Sequence, residues 1–577
     1  MLTLESDVRL EGEARVADAA EPSLRGEWRA LLLLAVWFVA EAVAVGAHRN
    51  VPVIDDWTYA WSVERMLRDG RFEVLDWSAV FPVGHVMWGT LWSLTFGFSF
   101  VTLRLSTLAL ALVASGTLYF ILRELEAPPR IALLGALSVA SNPVFLLLSS
   151  SFMTDVPFVA FTLLALLCYV RGMRRGRASL VWWGGAWAFA AFLDRQIGVL
   201  TPLAALPLLV HRGQPWALKR SNVVLALAVT LGAMLVSSLL LITLFRPTGE
   251  MSKLVERLSY VLQIPAATYL GYNLYVLSTI AFYALPALLA MASFRGLWRR
   301  GTLFALLLGL GGIMMALIGE IPVPLRPGGT WTLSEIGGSR VLIHGMLRPS
   351  TPAVIEIALR ALGFIASALA LMTLIGRGRS LPQRLRHGSG PLVGRMLDAA
   401  RAIPITTRTP LVAYLLGYLL IVNVLWMYND RYLLVLLPLL VALALGRRQQ
   451  QARLPRLAWV ATGIFAIVAV AGTRDALRFN QSVRDSWQAL VETGVRPSDI
   501  DAGYTWTGWT LYAHPENLAS GLTVADVPWI TSKRRLPYVL SKGPLDGYDV
   551  THEVSWSDVA PWPGPDRLLV LKQRVAN

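Results

Sequence analysis

The chain has 577 residues, 55% of them hydrophobic and only 15% charged, with a formal net charge of +15 and a mean hydropathy of +0.54. That balance excludes an ordinary soluble or disordered chain and describes a polytopic membrane protein. Its arginines cluster in short segments between hydrophobic runs, as loops on the cytoplasmic side do, so the positive charge speaks for topology and against nucleic acid. The single cysteine, Cys168, lies in an apolar run and excludes an intramolecular disulfide or a cysteine metal cluster.

Residues 1–28 are polar and mixed in charge, with no hydrophobic core before Leu31, and read as a cytoplasmic tail rather than a cleavable signal. The first span runs from about Arg29 to Ala47 and opens an outer loop, 48–100. Two amphipathic stretches in that loop, Trp57 to Leu67 and Pro82 to Phe96, are rich in Trp and interrupted by Gly, as interfacial helices are. Spans are expected at 101–122, 131–149, 156–171, 180–193, 197–210, 222–245, 270–293, 302–319, 353–375, 409–428, 432–446 and 456–472. The fold class is therefore a polytopic α-helical membrane protein of about thirteen transmembrane helices with outer-face amphipathic helices.

Placing the N-terminus inside puts Arg171 to Arg175, Arg295 to Arg300, Arg377 to Arg408, and Arg447, Arg448, Arg453 and Arg456 in the cytoplasm. Counting 82–96 as a span would invert the scheme and put these clusters outside. The same scheme gathers the 48–100 loop, Ser149 to Asp155, Asp194 to Gln196, Arg246 to Thr268, Glu320 to Thr351 and Asn429 to Arg431 on the outer face. The transmembrane domain, 29–472, is followed by residues 473–577, whose strand-like segments Tyr504 to Tyr512 and Arg567 to Lys572 suggest a small extracytoplasmic α/β domain.

Within the outer loops a few residues carry chemistry. Asp55 and Asp56 form an adjacent acidic pair before the first amphipathic stretch, and Asp155 precedes Pro157 at the start of another helix. Each acid would serve as a helix cap. Each would equally serve as a general base, a neighbour that tunes one by like-charge repulsion, or a ligand to a divalent cation. Arg195 and Arg431 break the charge rule by lying in outer loops, where a guanidinium matches phosphoryl oxygens; an ion pair of Arg195 with Asp194 and an interfacial anchor at Arg431 are the plain alternatives. His85 is either structural or catalytic, and Lys253 and Arg257 are ordinary headgroup-level bases.

These pieces in this order resemble the GT-C superfamily of polyprenyl-phosphate-sugar-dependent glycosyltransferases, in particular the protein O-mannosyltransferase and lipid A aminoarabinose transferase branch. Asp55, Asp56 and Tyr59 occupy the branch's acidic pair and tyrosine, with Asp56 where the family usually has Glu; Pro82, Gly84 and Trp88 match its amphipathic segment. Asp155 with Pro157 and Phe158, Arg195, and Arg431 to Leu434 match its later motifs. The resemblance implies transfer of a sugar from a polyprenyl-phosphate donor to a cell-envelope acceptor (lipid, glycan or protein) at the outer face of a bacterial inner membrane, with or without a divalent cation. Asp55 would be the base, Asp56 and Asp155 would orient the site, and Arg195, Arg431, His85 and Tyr59 would hold the donor phosphate. Phe81 stands where the aminoarabinose branch has a lysine, which makes His85 the candidate replacement. A membrane transporter or lipid flippase is the alternative, although such proteins place ionisable groups at the midplane and often show repeats. A scaffold with a degenerate site is a third.

Overall fold

The computed structural model of the chain describes residues 24–78, 80–206, 209, 219–245, 259, 261–291, 363, 365–370, 406–425, 430–446, 455–527, 536–541, 543–555 and 567–574. The expected span at 302–319, most of 353–375, the loop 320–351, most of 246–268 with Lys253 and Arg257, and the arginine clusters at 295–300, most of 377–408, and at 447–453 lie outside these residues.

Helix α1 spans Leu24–Val45 and α2 spans Asp56–Asp69, closed by Gly70 at φ 66°. Helix α3 spans Val83–Phe96. At ~1.5 Å per residue α3 is about 21 Å long, short of the ~30 Å hydrocarbon core. It buries His85, Val86, Gly89 and Ser93 and exposes Met87, Leu91, Leu94 and Phe96. The close packing depends on Gly89, where a Cβ would stand 2.4 Å from the Phe152 ring.

Helix α4 covers Phe100–Glu124, opened by Ser99, whose hydroxyl accepts from Thr102 N at 3.0 Å. The single span expected at 131–149 is two helices, α5 (Pro129–Ala140) and α6 (Pro143–Ser149), bent by 67°. The cause is local. Pro143 has no N–H to continue the helix, and the Asn142 side chain caps the new one through Val144 N and Phe145 N. Helices α7 (Asp155–Arg175) and α8 (Ala178–Asp194) pack along each other, followed by a 3₁₀ turn, Gln196–Val199, and a short α9, Leu200–Leu203. The described part of the expected 197–210 span is thus not one continuous helix. Then come α10 (Arg220–Leu244), α11 (Ala266–Tyr283), α12 (Leu285–Met291), α13 (Thr409–Val424), α14 (Asp430–Leu433) and α15 (Leu436–Leu445).

Helix α16 runs 37 residues, Arg456–Glu492, so the helix that carries the last expected span continues well past Gly472. Five helices among the described residues are long and apolar enough to cross a membrane, and six if α5 and α6 count as one. The helical, multi-span character read from composition is what the chain has.

The bundle has two polar ends. Near the start of α4 lies Arg104; at its other end Glu124 meets Arg171 (2.7 Å), Arg174 (3.4 Å) and Arg175 (3.3 Å). The rise from Arg104 to Glu124 is about 30 Å, the thickness of a bilayer core. The 47–56 loop, the 150–155 turn, Arg195 and Arg431, which the charge rule assigns to one face, meet at the Arg104 end.

After α16, four strands form a sheet of order β1-β2-β4-β3: Ile500–Asp501, Tyr538–Ser541, Tyr548–Ser555 and Arg567–Gln573. Strands β1 and β2 are parallel, and β4 pairs antiparallel with both β2 and β3, with Val539 opposite Leu571. The strand expected at Tyr504 to Tyr512 is instead helical: α17, Gly503–Thr507, continuing as a π-helical turn, Gly508–Tyr512. The helix brings Tyr504, Gly508 and Tyr512 around one ring, Trp57, which lies 6.0 Å from Tyr504 and 5.8 Å from Tyr512. A Cβ on Gly508 would come within 2.6 Å of Trp57, so only glycine admits this packing.

Candidate active site

The acidic pair sits on a strained turn. Ile54, fully buried, has φ 61°, a left-handed conformation that a β-branched residue adopts at a cost of about 1–3 kcal/mol. What holds it is a set of buried polar contacts. The guanidinium of Arg104, itself fully buried, donates to the carbonyls of Ala47 (3.0 Å), Val51 (2.8 Å) and Ser150 (2.7 Å), and also to that of Arg49. Asp56 accepts from Val53 N at 2.7 Å and Phe152 N at 3.2 Å. One arginine and one carboxylate therefore sew the 47–56 loop to the 150–154 turn.

This arrangement turns the two neighbouring acids in opposite directions. Asp56 points inward and is 1% exposed, and burial above all pushes its carboxyl up to about 7, against the pull of its two N–H donors and Arg104. The repulsion from Asp55 expected to tune the pair is the smallest of these influences. Asp55 points to the cleft between loops. Its Oδ2 lies 2.9 Å from Arg431 Nη1, and its Oδ1 accepts from the Tyr504 hydroxyl at 2.6 Å. Asp55, at the cap position of α2, makes no side-chain cap hydrogen bond, and Asp155 is the first residue of α7 with neither carboxyl oxygen hydrogen-bonded, so the capping alternative fails for both acids.

Asp155 and Arg195 form a second pair, Oδ1 to Nη2 at 2.9 Å, although the angle is poor for a hydrogen bond. Arg195 Nε also donates to Thr154 Oγ1 at 2.8 Å. The Tyr432 ring lies between the pairs, 5.4 Å from the Arg195 guanidinium and 5.2 Å from that of Arg431. Its backbone carbonyl accepts from the Tyr418 hydroxyl at 2.8 Å. Two carboxylates, two guanidinia and Tyr432 from four separate stretches of chain thus form one cluster. Tyr59 is buried beside it, under the influence of all four charges.

His85 has a different setting from the one expected. Its ring is fully buried, stacked on Phe152 at 3.9 Å and edge-on to Tyr59 at 5.7 Å. Nε2 faces the Phe152 carbonyl at 3.2 Å and Nδ1 lies 3.7 Å from Asp194 Oδ1. Burial holds its pKa down to about 3, so the imidazole is neutral and carries no charge toward a phosphate. Phe81 sits in an apolar setting with Phe245, its backbone clamped by Gln196 (3.3 and 2.9 Å).

Residues 82–242 match the family model described as dolichyl-phosphate-mannose-protein mannosyltransferase, a stretch that includes His85, Asp155, Asp194 and Arg195 but neither Asp55 nor Arg431. The GT-C resemblance is borne out, and with it the enzyme class, glycosyltransferase. No match is found among curated proteins. Among solved structures, the chain is similar to ArnT from Cupriavidus metallidurans bound to undecaprenyl phosphate, at 14% identity and TM-score 0.39, covering 94% of this chain and 97% of that one. It is similar to the S. cerevisiae protein O-mannosyltransferase Pmt1-Pmt2 complex bound to the sugar donor, at 17% identity and TM-score 0.30, covering 39% of this chain and 35% of that one. The archaeal oligosaccharyltransferase AglB from Archaeoglobus fulgidus matches at 14% identity and TM-score 0.39, over 82% of this chain and 58% of that one.

Two groups that sequence reading passed over also support this cluster. Arg104 holds the 47–56 loop and Tyr504 reaches Asp55 from beyond α16, while Asp194, the plain alternative partner for Arg195, faces the His85 ring at 3.7 Å instead. Among the described residues the carboxylates do not assemble a divalent-cation site. No group of three or more His, Cys, Asp or Glu side chains comes together among the described residues, and Asp55 and Asp155 each face an arginine.

Proposed function

We propose that the chain is an integral membrane glycosyltransferase that moves a sugar from a polyprenyl-phosphate donor to a cell-envelope acceptor at the outer face of a bacterial inner membrane. The observation that carries this reading is the convergence of Asp55, Asp155, Arg195 and Arg431 around Tyr432 at one end of the bundle. In this reading Asp55 takes the proton of the acceptor hydroxyl as its oxygen attacks the sugar's C1. The C1–O bond to phosphate breaks with its electron pair going to the leaving polyprenyl phosphate. Arg431 and Arg195 receive that charge, their guanidinium forks being preorganised by Asp55, Asp155, Thr154 and the Tyr432 face. Attack from the side opposite the phosphate inverts the anomeric centre.

Asp56 is assigned to positioning rather than to proton transfer, since its oxygens hold backbone amides. Tyr59 and His85 support the arginines and the Phe152 turn from below. The bilayer takes the polyprenyl chain. The test is incubation of the purified protein with a panel of undecaprenyl-phosphate sugars and candidate envelope acceptors. Release of undecaprenyl phosphate with one sugar supports the reading, and movement of intact lipid between leaflets without its consumption overturns it.

A further inference from the structure

Tyr504 lies beyond the last span, 449 residues from Asp55, yet its hydroxyl donates to Asp55 Oδ1 at 2.6 Å. The indole N–H of Trp77 donates to the same phenolic oxygen, so the one phenolic proton is directed at the carboxylate. The other carboxylate oxygen faces Arg431. An alcohol about to be deprotonated by a general base sits with its O–H on the carboxylate within about 2.6–3.2 Å, which is the arrangement the phenol has here.

Unlike an acceptor, the phenol keeps its proton. Burial first, and the Asp55 charge next, push its pKa well above the ordinary tyrosine range. The element that carries it is a short helix entered through Gly503 at φ 73°, anchored by the rings of Trp57, Trp77 and Tyr512.

We propose that Tyr504 holds the acceptor's place, its hydroxyl occupying the position at Asp55 that an acceptor hydroxyl takes before transfer and keeping water off the base until an acceptor displaces it. This rests on the reading of Asp55 as base. It makes Tyr504 a residue that sets transfer against hydrolysis, a distinction that matters because water at an open site competes with the acceptor for the reacting centre. In Tyr504→Phe a hydroxyl-sized gap opens between Asp55 and Trp77, the right size and polarity for one water. That water's oxygen then attacks C1, its proton goes to Asp55, and the C1–O bond breaks with the electron pair leaving on polyprenyl phosphate; the products are free sugar and polyprenyl phosphate.

The experiment measures release of free sugar from undecaprenyl-phosphate sugars by the full chain with no acceptor added. Tyr504→Phe is expected to raise hydrolysis about tenfold, and Trp77→Phe, which frees the phenol's orientation, to raise it by a smaller factor. The Asp55→Asn/Tyr504→Phe double variant returns to the background. No rise in either single variant, with each shown folded by gel filtration and thermal melting, overturns the placeholder. A rise that persists in the double variant overturns the assignment of Asp55 itself. A parallel loss of transfer and hydrolysis in Tyr504→Phe, with the donor KM unchanged, makes Tyr504 a positioning residue and also overturns the proposal.

Discussion

Arg431 and Asp55 stand 376 residues apart in the chain and 2.9 Å apart in space. The pair joins the loop after α1 to the turn that opens α14, and in the proposed function it is the contact on which base and phosphate-binding roles meet. A guanidinium placed between a carboxylate and an aromatic ring is fixed in plane and direction, which lysine cannot reproduce.

Arg431→Lys should therefore lower kcat/KM for the donor by roughly 10- to 100-fold, the loss of one charge-assisted contact of about 1.5–3 kcal/mol. Arg195→Lys, which gives up Thr154 and the Tyr432 face together, should behave alike. Steady-state kinetics at varied donor concentration checks this; unchanged kinetics in both would remove the arginines from the phosphate site.

Arg104→Met should be the most damaging substitution outside the cluster. It strips donors from the carbonyls of Ala47, Arg49, Val51 and Ser150, all buried by the same side chain. With about 1–3 kcal/mol for each unsatisfied group, the loss should exceed about 3 kcal/mol even after relaxation. Thermal melting in detergent reads it, and a melt equal to wild type would show that the loop does not depend on Arg104.

Asp56 gives a pH signature. Its carboxyl titrates near 7 in the fold against 3.8 for a free one, so it favours the folded state fully at pH below about 4, and that contribution is lost as pH rises through 7. The melting-temperature advantage of wild type over Asp56→Asn should shrink between pH 5 and 8, a change of the order of a few kcal/mol at most. A difference that is constant or grows with pH contradicts the burial of this group.

Much of the cluster is legible in the sequence because lipid makes charge conspicuous. Asp55, Asp155, Arg195 and Arg431 are ionisable groups at the mouths of apolar runs, and two of them break the arginine pattern. Asp194 is misread for a geometric reason. Arg195 is extended, at φ −145° and ψ 128°, so adjacent side chains face opposite ways, one to His85 and the other to Asp155. Tyr504 to Tyr512 is misread because alternating aromatic and small residues suit a strand, while the packing around Trp57 that selects the helix comes from 450 residues away. Arg104 gives no signal at all, being one arginine near the start of an ordinary span. The break at Asn142-Pro143 is legible in principle, since proline after a capping residue starts a new helix.

Gly508→Ala should loosen the C-terminal segment from Trp57, because the added Cβ falls 2.6 Å from the indole. The cost should be about 1–3 kcal/mol, with proteolysis appearing first in 503–512. Protection equal to wild type in limited proteolysis would mean that the segment packs elsewhere.

The central claim is that Asp55 removes the acceptor's proton. Asp55→Asn preserves shape, and its one carbonyl oxygen can still accept from Arg431 while its amide faces the Tyr504 oxygen, so donor binding should survive. Single-turnover transfer from a bound undecaprenyl-phosphate sugar, measured at equal expression and equal donor occupancy, should fall by at least about 100-fold, the contribution of a general base. Transfer at the wild-type rate would contradict the account.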